Sequence, residues 1–507
     1  MVSEEDRLLD SVQRDVRLTE RPTRETLRAL TLAMPNARVT QHGNVNVQNH
    51  VPNWSCEATF LVADHPELSS HRAMSRCDEA GIATLQERYA DRRDMIALNG
   101  AIGGGASCRL RVRLYVESSC ANIAAVQEML YFPPDGDEDA PEATVFCTPG
   151  LRLPGPRHGR AVTVDFEQAV TRVCGTDFVG EAKRAGLRMW SKLAWERGGL
   201  PVHAAVVRGS RAGGGGRMAV LVGRPGTGKS TLALHDGAEA IACQEDRVAW
   251  MRDGSLVPAE NAFFSPARLA AGASTTIRDA LRAPASHLEN VPHRGDALDL
   301  TDVPGGARGR VVFANGEAVQ QALSGARPRV VILLVRNQNV LPAVARLDPA
   351  AGAAAYVAAL EGQALDQADV QTLGANPLFP LSAVAQGTRL LELLAAHRPE
   401  IYVLNTGRVG GPPEHAGSRD VEPRHSAAIV AALLAGTAEW EHEASLGCDV
   451  AVRLPGFDPR DDDLLRPRAL YRRQGRADEY AALAHRLTLR WAGCGARLAD
   501  FNASLGV

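Results

Sequence analysis

Lysine is almost absent from this chain of 507 residues: of 56 basic residues, three are Lys, at Lys183, Lys192 and Lys229. A surviving lysine is therefore a candidate for work that a guanidinium cannot do, because only an amine is a compact, flexible point charge. Excess positive charge is also missing. The formal net charge is −3, which leaves no field for nucleic acid or an anionic membrane surface. There is no C-x-x-C pair among the nine cysteines. That excludes a zinc ribbon and a disulfide framework, and it fits a reducing cytoplasm, the expected location. No apolar run reaches the length of a membrane span; the densest, Val330–Val335, is a strand length. The first residues, Met1 to Asp6, are acidic and carry no signal-peptide core. No internal repeat is visible. What remains is an ordinary globular composition, 45% hydrophobic and 23% charged, long enough for more than one domain with a real core.

The most informative stretch runs from Met218 to Asp246. An apolar strand, Met218–Val222, leads into Gly223-Arg224-Pro225-Gly226-Thr227-Gly228-Lys229-Ser230-Thr231. This is G-x-x-x-x-G-K-S, the phosphate-binding loop. Its glycines let the backbone turn tightly enough for several N–H groups to converge on one anion. A helix beginning near Lys229 adds its positive end. Gly223, Gly226, Thr227, Gly228 and Thr231 belong to this cradle. Lys229 is expected to reach the β- and γ-phosphates, and the Ser230 hydroxyl to hold Mg²⁺.

A short strand, Ala240–Cys243, follows at once and ends in Gln244-Glu245-Asp246. Adjacent carboxylates after an apolar strand suit a phosphate-bound divalent cation, since Mg²⁺ and Mn²⁺ prefer oxygen ligands. On spacing alone, a solvated acidic turn is the competing reading.

Elsewhere the pattern alternates strands and helices. Helices are expected over Asp6–Val16, Thr23–Met34, Asp78–Met95, Ala121–Leu130, Pro349–Leu360, Leu381–Ala396, Ser426–Ala435 and Asp478–Ala496. Arg109 to Val116 alternates with period two, placing its arginines on one strand face. That face reads equally as a solvated sheet surface or as the wall of an anion cleft. Gly362 to Gly374 is polar and reads as a lid. The domain boundary is placed near Gly199: residues 1–199 as an N-terminal α/β domain on the substrate side, residues 200–507 as a C-terminal phosphate-loop domain.

In order along the chain, short motifs resemble those of the ATP-dependent phosphoenolpyruvate carboxykinases. Gly180-Glu181-Ala182-Lys183-Arg184 resembles that family's G-E-x-K-K, and Leu200-Pro201-Val202-His203 its histidine strand. Gly223 to Thr231 resembles G-x-S-G-T-G-K-T-T, and Gln244-Glu245-Asp246 before Trp250 resembles G-D-D-E-H-G-W. Leu341-Pro342-Ala343-Val344 and Leu404-Asn405-Thr406-Gly407 resemble L-P-P-V and V-N-T-G. The resemblance implies a two-domain α/β fold, with a phosphate-loop domain on a mixed sheet and ATP in the cleft. It implies His203 and Asp246 as ligands of a second cation, usually Mn²⁺, with Glu245 standing where the family has Asp. It implies Arg308 acting on the transferring phosphoryl group and Arg419 near the nucleotide.

The departures fall on one side. The second lysine of G-E-x-K-K ligates Mn²⁺ through a neutral amine, but here it is Arg184, which has no lone pair to give. Phe178 replaces a tyrosine beside the substrate. The family's G-R-S-P-K-D-K loop supplies an arginine for the substrate carboxylate; the nearest stretch here, Asn49 to Trp54, has none. The nucleotide side is intact and the oxaloacetate side is altered. The sequence alone therefore favours a diverged ATP-dependent kinase that moves the γ-phosphoryl group to a hydroxyl or similar oxygen of a small molecule. ATP, Mg²⁺ and Mn²⁺ are the expected cofactors. Lys183 is expected to contact the phosphoryl group or the acceptor, and Asp246 would serve as base if one metal is absent. The alternatives are a working carboxykinase, which would need Arg109, Arg111 or Arg308 for the carboxylates, a protein-serine kinase, or a nucleotide sensor. A monomer is expected.

Overall fold

The computed structural model describes residues 17–51, 56–65, 72–134, 136, 140–154, 159–210, 216–272, 274–300, 308–314, 323, 325–361 and 381–504. The expected first helix, Asp6–Val16, and the expected lid, Gly362–Gly374, lie outside these residues. The chain separates into two units. One comprises residues 1–40, 45–102 and 110–189; the other comprises residues 41–44, 103–109 and 190–507.

The first unit is built on an eight-stranded mixed sheet. Its strands are β1 (Leu18–Glu20), β2 (Thr59–Ala63), β3 (Ala73–Ser75), β4 (Met95–Ile102), β5 (Leu110–Glu117), β6 (Ala143–Thr148), β7 (Ala161–Asp165) and β8 (Val170–Cys174), in the spatial order β1-β4-β5-β6-β8-β7-β2-β3. Period-two burial along β5 puts Leu110, Val112, Leu114 and Val116 inside and leaves Arg111 and Arg113 on the other face. Arg113 bonds Glu20 at 3.0 Å, and Arg111 Nε donates to the Ala140 carbonyl at 3.1 Å, with Glu142 3.8 Å from its Nη2. These side chains are therefore sheet-face ion pairs, as the plainer reading of the alternation has it. Met95, expected at the end of a helix, starts β4 instead. The helix Arg76–Ala90 is closed by Asp91, and Met95 pairs with Leu18 on one side and Glu117 on the other.

The second unit has a ten-stranded sheet: β9 (Leu200–Gly209), β10 (Met218–Gly223), β11 (Ala240–Gln244), β12 (Arg247–Trp250), β13 (Leu256–Pro258), β14 (Val330–Val335), β15 (Val344–Leu347), β16 (Glu400–Asn405), β17 (Glu439–Glu443) and β18 (Cys448–Arg453). The order is β13-β12-β9-β10-β14-β16-β15-β18-β17, with β11 also on β9. The centre, β10-β14-β16, is parallel and reads as unbroken apolar runs because both faces are covered. Leu200, Val202, Ala204 and Val206 face one core, with Tyr356, Leu390 and Tyr480 from three helices. Ala205 and Val207 face the other, with Leu232, Ala233 and Ile429. The C-terminal helix is longer than its pattern suggests, Ala477–Ser504, and contains Gly493 and Gly495. Cys494 and Leu498 pack there against Ala353 and Val357, and tertiary burial outweighs the roughly 1 kcal/mol cost of each helical glycine.

Candidate active site

The phosphate loop joins β10 to a helix of five residues, Lys229–Ala233. Gly226 and Gly228 take φ of +85° and +93°, values that glycine adopts without a Cβ penalty. At Gly223 the restriction is contact: a Cβ there would lie 2.5 Å from Thr227 Oγ1 and 3.0 Å from the Leu334 carbonyl oxygen. The loop is held internally. Thr227 Oγ1 donates to the Arg224 carbonyl at 2.8 Å, and Lys229 Nζ donates to Gly223 O at 2.6 Å and Arg224 O at 3.0 Å. The Lys229 amine is thus held by backbone carbonyls of its own loop.

Beside the loop, β9 meets β11 and β12 along one edge. Val206 pairs with Gln244 and His203 with Arg247, so Glu245 and Asp246 stand opposite Ala205 and Ala204 in an unbroken register, and the shift in register falls beyond them, between Val206 and Val207. The Ala204 N–H reaches the Asp246 carbonyl at 3.0 Å. Asp246 Oδ1 lies 2.9 Å from His203 Nε2. His203 belongs to the odd-numbered face of β9, the face covered by Leu232 and Ala233 of the loop helix.

Burial pushes the His203 pKa down to about 4, and the Lys229 charge adds to that, against the pull of Asp246. The ring is neutral at pH 7. Its Nε2–H donates to Asp246, which leaves the lone pair on Nδ1, and Nδ1 is buried without a hydrogen-bond partner among the described residues. Burial also lowers the Lys229 pKa to about 8; Asp246 opposes the shift and Arg247 adds to it. Lys229, His203, Asp246 and Glu245 thus form one electrostatic neighbourhood. Glu245 is turned within it: one carboxylate oxygen accepts from Ser265 Oγ at 2.6 Å, and the side chain is buried.

Among the described residues, no group of three or more His, Cys, Asp and Glu side chains is arranged to hold a metal ion. The residues that fit a divalent cation are the His203–Asp246 pair, which offers an imidazole lone pair and a carboxylate, and the Ser230 hydroxyl at the loop. That is a partial set of the kind Mg²⁺ accepts when substrate phosphates and waters complete it.

Two further predicted residues are placed elsewhere. Arg308 is exposed on the turn before the strand Arg310–Ala314, with no ion pair among the described residues. Arg419 lies in a two-stranded ribbon with Arg408–Val409. It donates to the Arg460 carbonyl at 2.7 Å and pairs with Asp461 at 2.5 Å. Lys183 and Arg184 stand on the helix Val179–Glu196 of the other unit, Lys183 buried and Arg184 half-buried. The Arg184 guanidinium lies 5.6 Å from the Phe178 ring centre.

Sequence reasoning missed two supports. Thr406 Oγ1 donates to the Thr227 carbonyl at 2.9 Å. Asn405, fully buried, accepts from the Asn337 and Gly407 N–H groups at 2.9 Å and donates to Leu341 and Arg408 carbonyls at 3.0 Å. The Asn-Thr-Gly triplet was the available signal, since a buried amide at a strand end must find four partners.

The sequence profile described as phosphoenolpyruvate carboxykinase matches residues 17–460. Among curated proteins, the chain is 26% identical over 482 residues to the phosphoenolpyruvate carboxykinase (ATP) of Mesorhizobium japonicum, covering 88% of this chain and 86% of that one. It is 27% identical over 451 residues to phosphoenolpyruvate carboxykinase (ATP) 2 of Moorella thermoacetica, covering 83% and 82%. For the Thermus thermophilus phosphoenolpyruvate carboxykinase (ATP), identity is 27% over 425 residues, covering 79% and 78%.

Proposed function

The chain belongs to the phosphoenolpyruvate carboxykinase family, and from that premise we propose that it transfers the γ-phosphoryl group of ATP to the pyruvate enolate left when oxaloacetate loses CO₂. The products are phosphoenolpyruvate, ADP and CO₂. This reading replaces the small-molecule kinase favoured by the motifs alone, because relatives named for the carboxykinase reaction match over most of the chain. The observation that carries it is the placement of Lys229 beside the neutral His203 and its partner Asp246, next to an intact phosphate loop.

In the proposed reaction the C–C bond to the leaving carboxylate breaks and its electron pair forms the enolate. The enolate oxygen attacks the γ-phosphorus, and the bond to the ADP oxygen breaks. Loop N–H groups and Lys229 neutralise charge on the phosphates and align them, so that positioning and electrostatics supply most of the catalysis. Ser230, His203 and Asp246 would hold the divalent cations, Mg²⁺ and Mn²⁺, which supply charge neutralisation at the phosphates and the enolate.

One observation favours a second reading, a different acceptor oxygen. At the position of the family's metal-binding lysine stands Arg184, a guanidinium without a lone pair, packed near Phe178. The deciding experiment incubates the protein with ATP, Mg²⁺ and Mn²⁺, with and without oxaloacetate, and follows CO₂ and ADP. Stoichiometric CO₂ and ADP appearing only with oxaloacetate supports the carboxykinase. ADP formed with other acceptors, and no CO₂, transfers the weight to the kinase.

A further inference from the structure

Asn405 ends β16 with a carboxamide whose whole capacity is spent on backbone. The residue is fully buried. Its Oδ1 accepts from the N–H groups of Asn337 and Gly407, each at 2.9 Å. Its Nδ2 donates to the carbonyls of Leu341 and Arg408, each at 3.0 Å. Two accepted and two donated bonds are all that an amide side chain can make. They tie the turn 405–408 to the segment 337–341 that follows β14.

Backbone bonds run beside these four. The Arg408 N–H donates to Asn337 O at 2.7 Å, the Gly411 N–H to Gln338 O at 2.8 Å, and the Gly410 N–H to Asn339 O at 3.0 Å. Asn337 braces its own turn, its Oδ1 accepting from the Asn339 N–H at 2.8 Å. A Cβ at Gly407 would overlap the Asn337 carbonyl oxygen, so the two segments meet backbone to backbone.

The residue after Asn405 is the one that reaches the phosphate loop. The Thr406 N–H donates to Val335 O at 2.8 Å, and its hydroxyl lies 3.2 Å from that carbonyl and 2.9 Å from Thr227 O. One hydroxyl proton faces two carbonyls, so small shifts of the Thr406 backbone decide whether Thr227 receives it. None of the four Asn405 bonds goes to the loop; they fix the backbone from which Thr406 reaches it.

We propose that Asn405 is a positioning residue for the phosphate loop, acting through Thr406 to hold the Thr227 carbonyl before nucleotide arrives. The inference rests on the reading that ATP occupies this loop. A loop set in advance need not be ordered on binding, and that difference appears as affinity.

The test compares the full-length parent with Asn405→Ser, Thr406→Val and the double variant. Equilibrium dialysis gives the affinity for ATP with Mg²⁺. Hydrogen–deuterium exchange of the ligand-free protein follows residues 223–231. A single hydroxyl cannot meet four backbone groups. Asn405→Ser should therefore speed exchange in the loop and weaken ATP about five- to tenfold, the equivalent of one hydrogen bond. Both substitutions act on one contact, so the double variant should also lose about five- to tenfold, not the roughly 25- to 100-fold of independent sites. A merely structural Asn405 would lower the unfolding midpoint and leave ATP affinity alone. Unchanged ATP affinity in a parent that binds ATP overturns the proposal, and so do losses that multiply. Should Asn405→Ser fail to fold, Asn337→Ala carries the comparison, because that half-buried side chain braces the same turn from its other side. A parent that binds ATP and releases no CO₂ from oxaloacetate rejects the carboxykinase and leaves the Asn405 comparison standing. A parent that binds no ATP rejects the nucleotide reading, and loop exchange alone then decides on Asn405.

Discussion

Thr406 Oγ1 donates a 2.9 Å hydrogen bond to the carbonyl oxygen of Thr227, tying the end of β16 to the phosphate loop. The two residues are 179 positions apart. Thr406→Val keeps the shape and removes the donor. A neutral hydrogen bond contributes about 1 kcal/mol, so ATP affinity should fall about five- to tenfold. Equilibrium dialysis with ATP and Mg²⁺ measures this, and unchanged affinity would remove Thr406 from the account.

Two glycines of the loop should fail for different reasons. Gly223→Ala places a Cβ 3.0 Å from the Leu334 backbone oxygen, a fixed neighbour, and overpacking of this kind costs about 1–3 kcal/mol. Gly228→Ala meets only Thr406 Cγ2 at 4.0 Å. Its cost is the φ of +93°, roughly 1–2 kcal/mol. Denaturant unfolding should show both losses, but only Gly223→Ala should be partly rescued by Thr227→Ala, which removes the Oγ1 that the new Cβ would meet at 2.5 Å.

Lys229 donates to two loop carbonyls in the absence of phosphate. Lys229→Met leaves Gly223 O and Arg224 O without this donor and removes the charge at the transferring group. Turnover with ATP should drop by about 10²- to 10³-fold, the usual effect of removing one donor to transition-state charge. Lys229→Arg should recover little, because a planar fork cannot replace a point charge in this cradle. Single-turnover ADP formation checks both, and a variant within threefold of the parent contradicts the role.

The turn from β10 into the helix at Lys229 was legible because its signals are local: the apolar strand, the glycines and the helix start are adjacent in the chain. The two faces of β5 were legible for the same reason, since strand period is a local property. What escaped was set by distant partners. Nothing around Glu245 announces that Ser265 takes one of its oxygens. Nothing around Arg113 points to Glu20, 93 positions earlier. The triplet at Asn405 marks a turn, but its bonds to Asn337, Leu341 and Arg408 exist only once those residues are folded around it.

Asp461 lies at the centre of a basic cluster. Burial alone would raise its pKa, but the His425 Nε2–H at 3.0 Å and the charges of Arg419 and Arg424 outweigh it and hold the carboxyl below its ordinary value. His425 Nδ1 accepts from the Glu422 N–H at 3.0 Å, which leaves the proton on Nε2. A depressed folded pKa means that the unfolded chain binds the proton more tightly. The stabilisation is fully present above the unfolded carboxyl value of about 3.9 and is lost as pH falls through the lower folded value. Asp461→Asn should destabilise by about 1–3 kcal/mol near neutral pH, with the gap to the parent closing below about pH 4. Urea midpoints across that range test it, and a gap independent of pH rejects the ionic role.

Arg184→Lys asks whether the altered acceptor side can be returned to the family's pattern. The helix position is half-buried, and the guanidinium lies 3.5 Å from the Gly180 carbonyl and 3.9 Å from Glu181. An amine, unlike a guanidinium, can lose its proton and offer a lone pair to Mn²⁺. Competition from Glu181 for the ammonium form opposes that, so the gain should grow with pH. If oxaloacetate is the natural acceptor and the Arg184 charge replaces a metal contact, the parent enzyme should release CO₂ with little response to added Mn²⁺. The variant should then acquire a Mn²⁺ dependence that strengthens between neutral and mildly alkaline pH. If the site has been rebuilt for another acceptor, the substitution should leave CO₂ release at background at every Mn²⁺ concentration, because a restored ligand does not by itself restore a dicarboxylate seat.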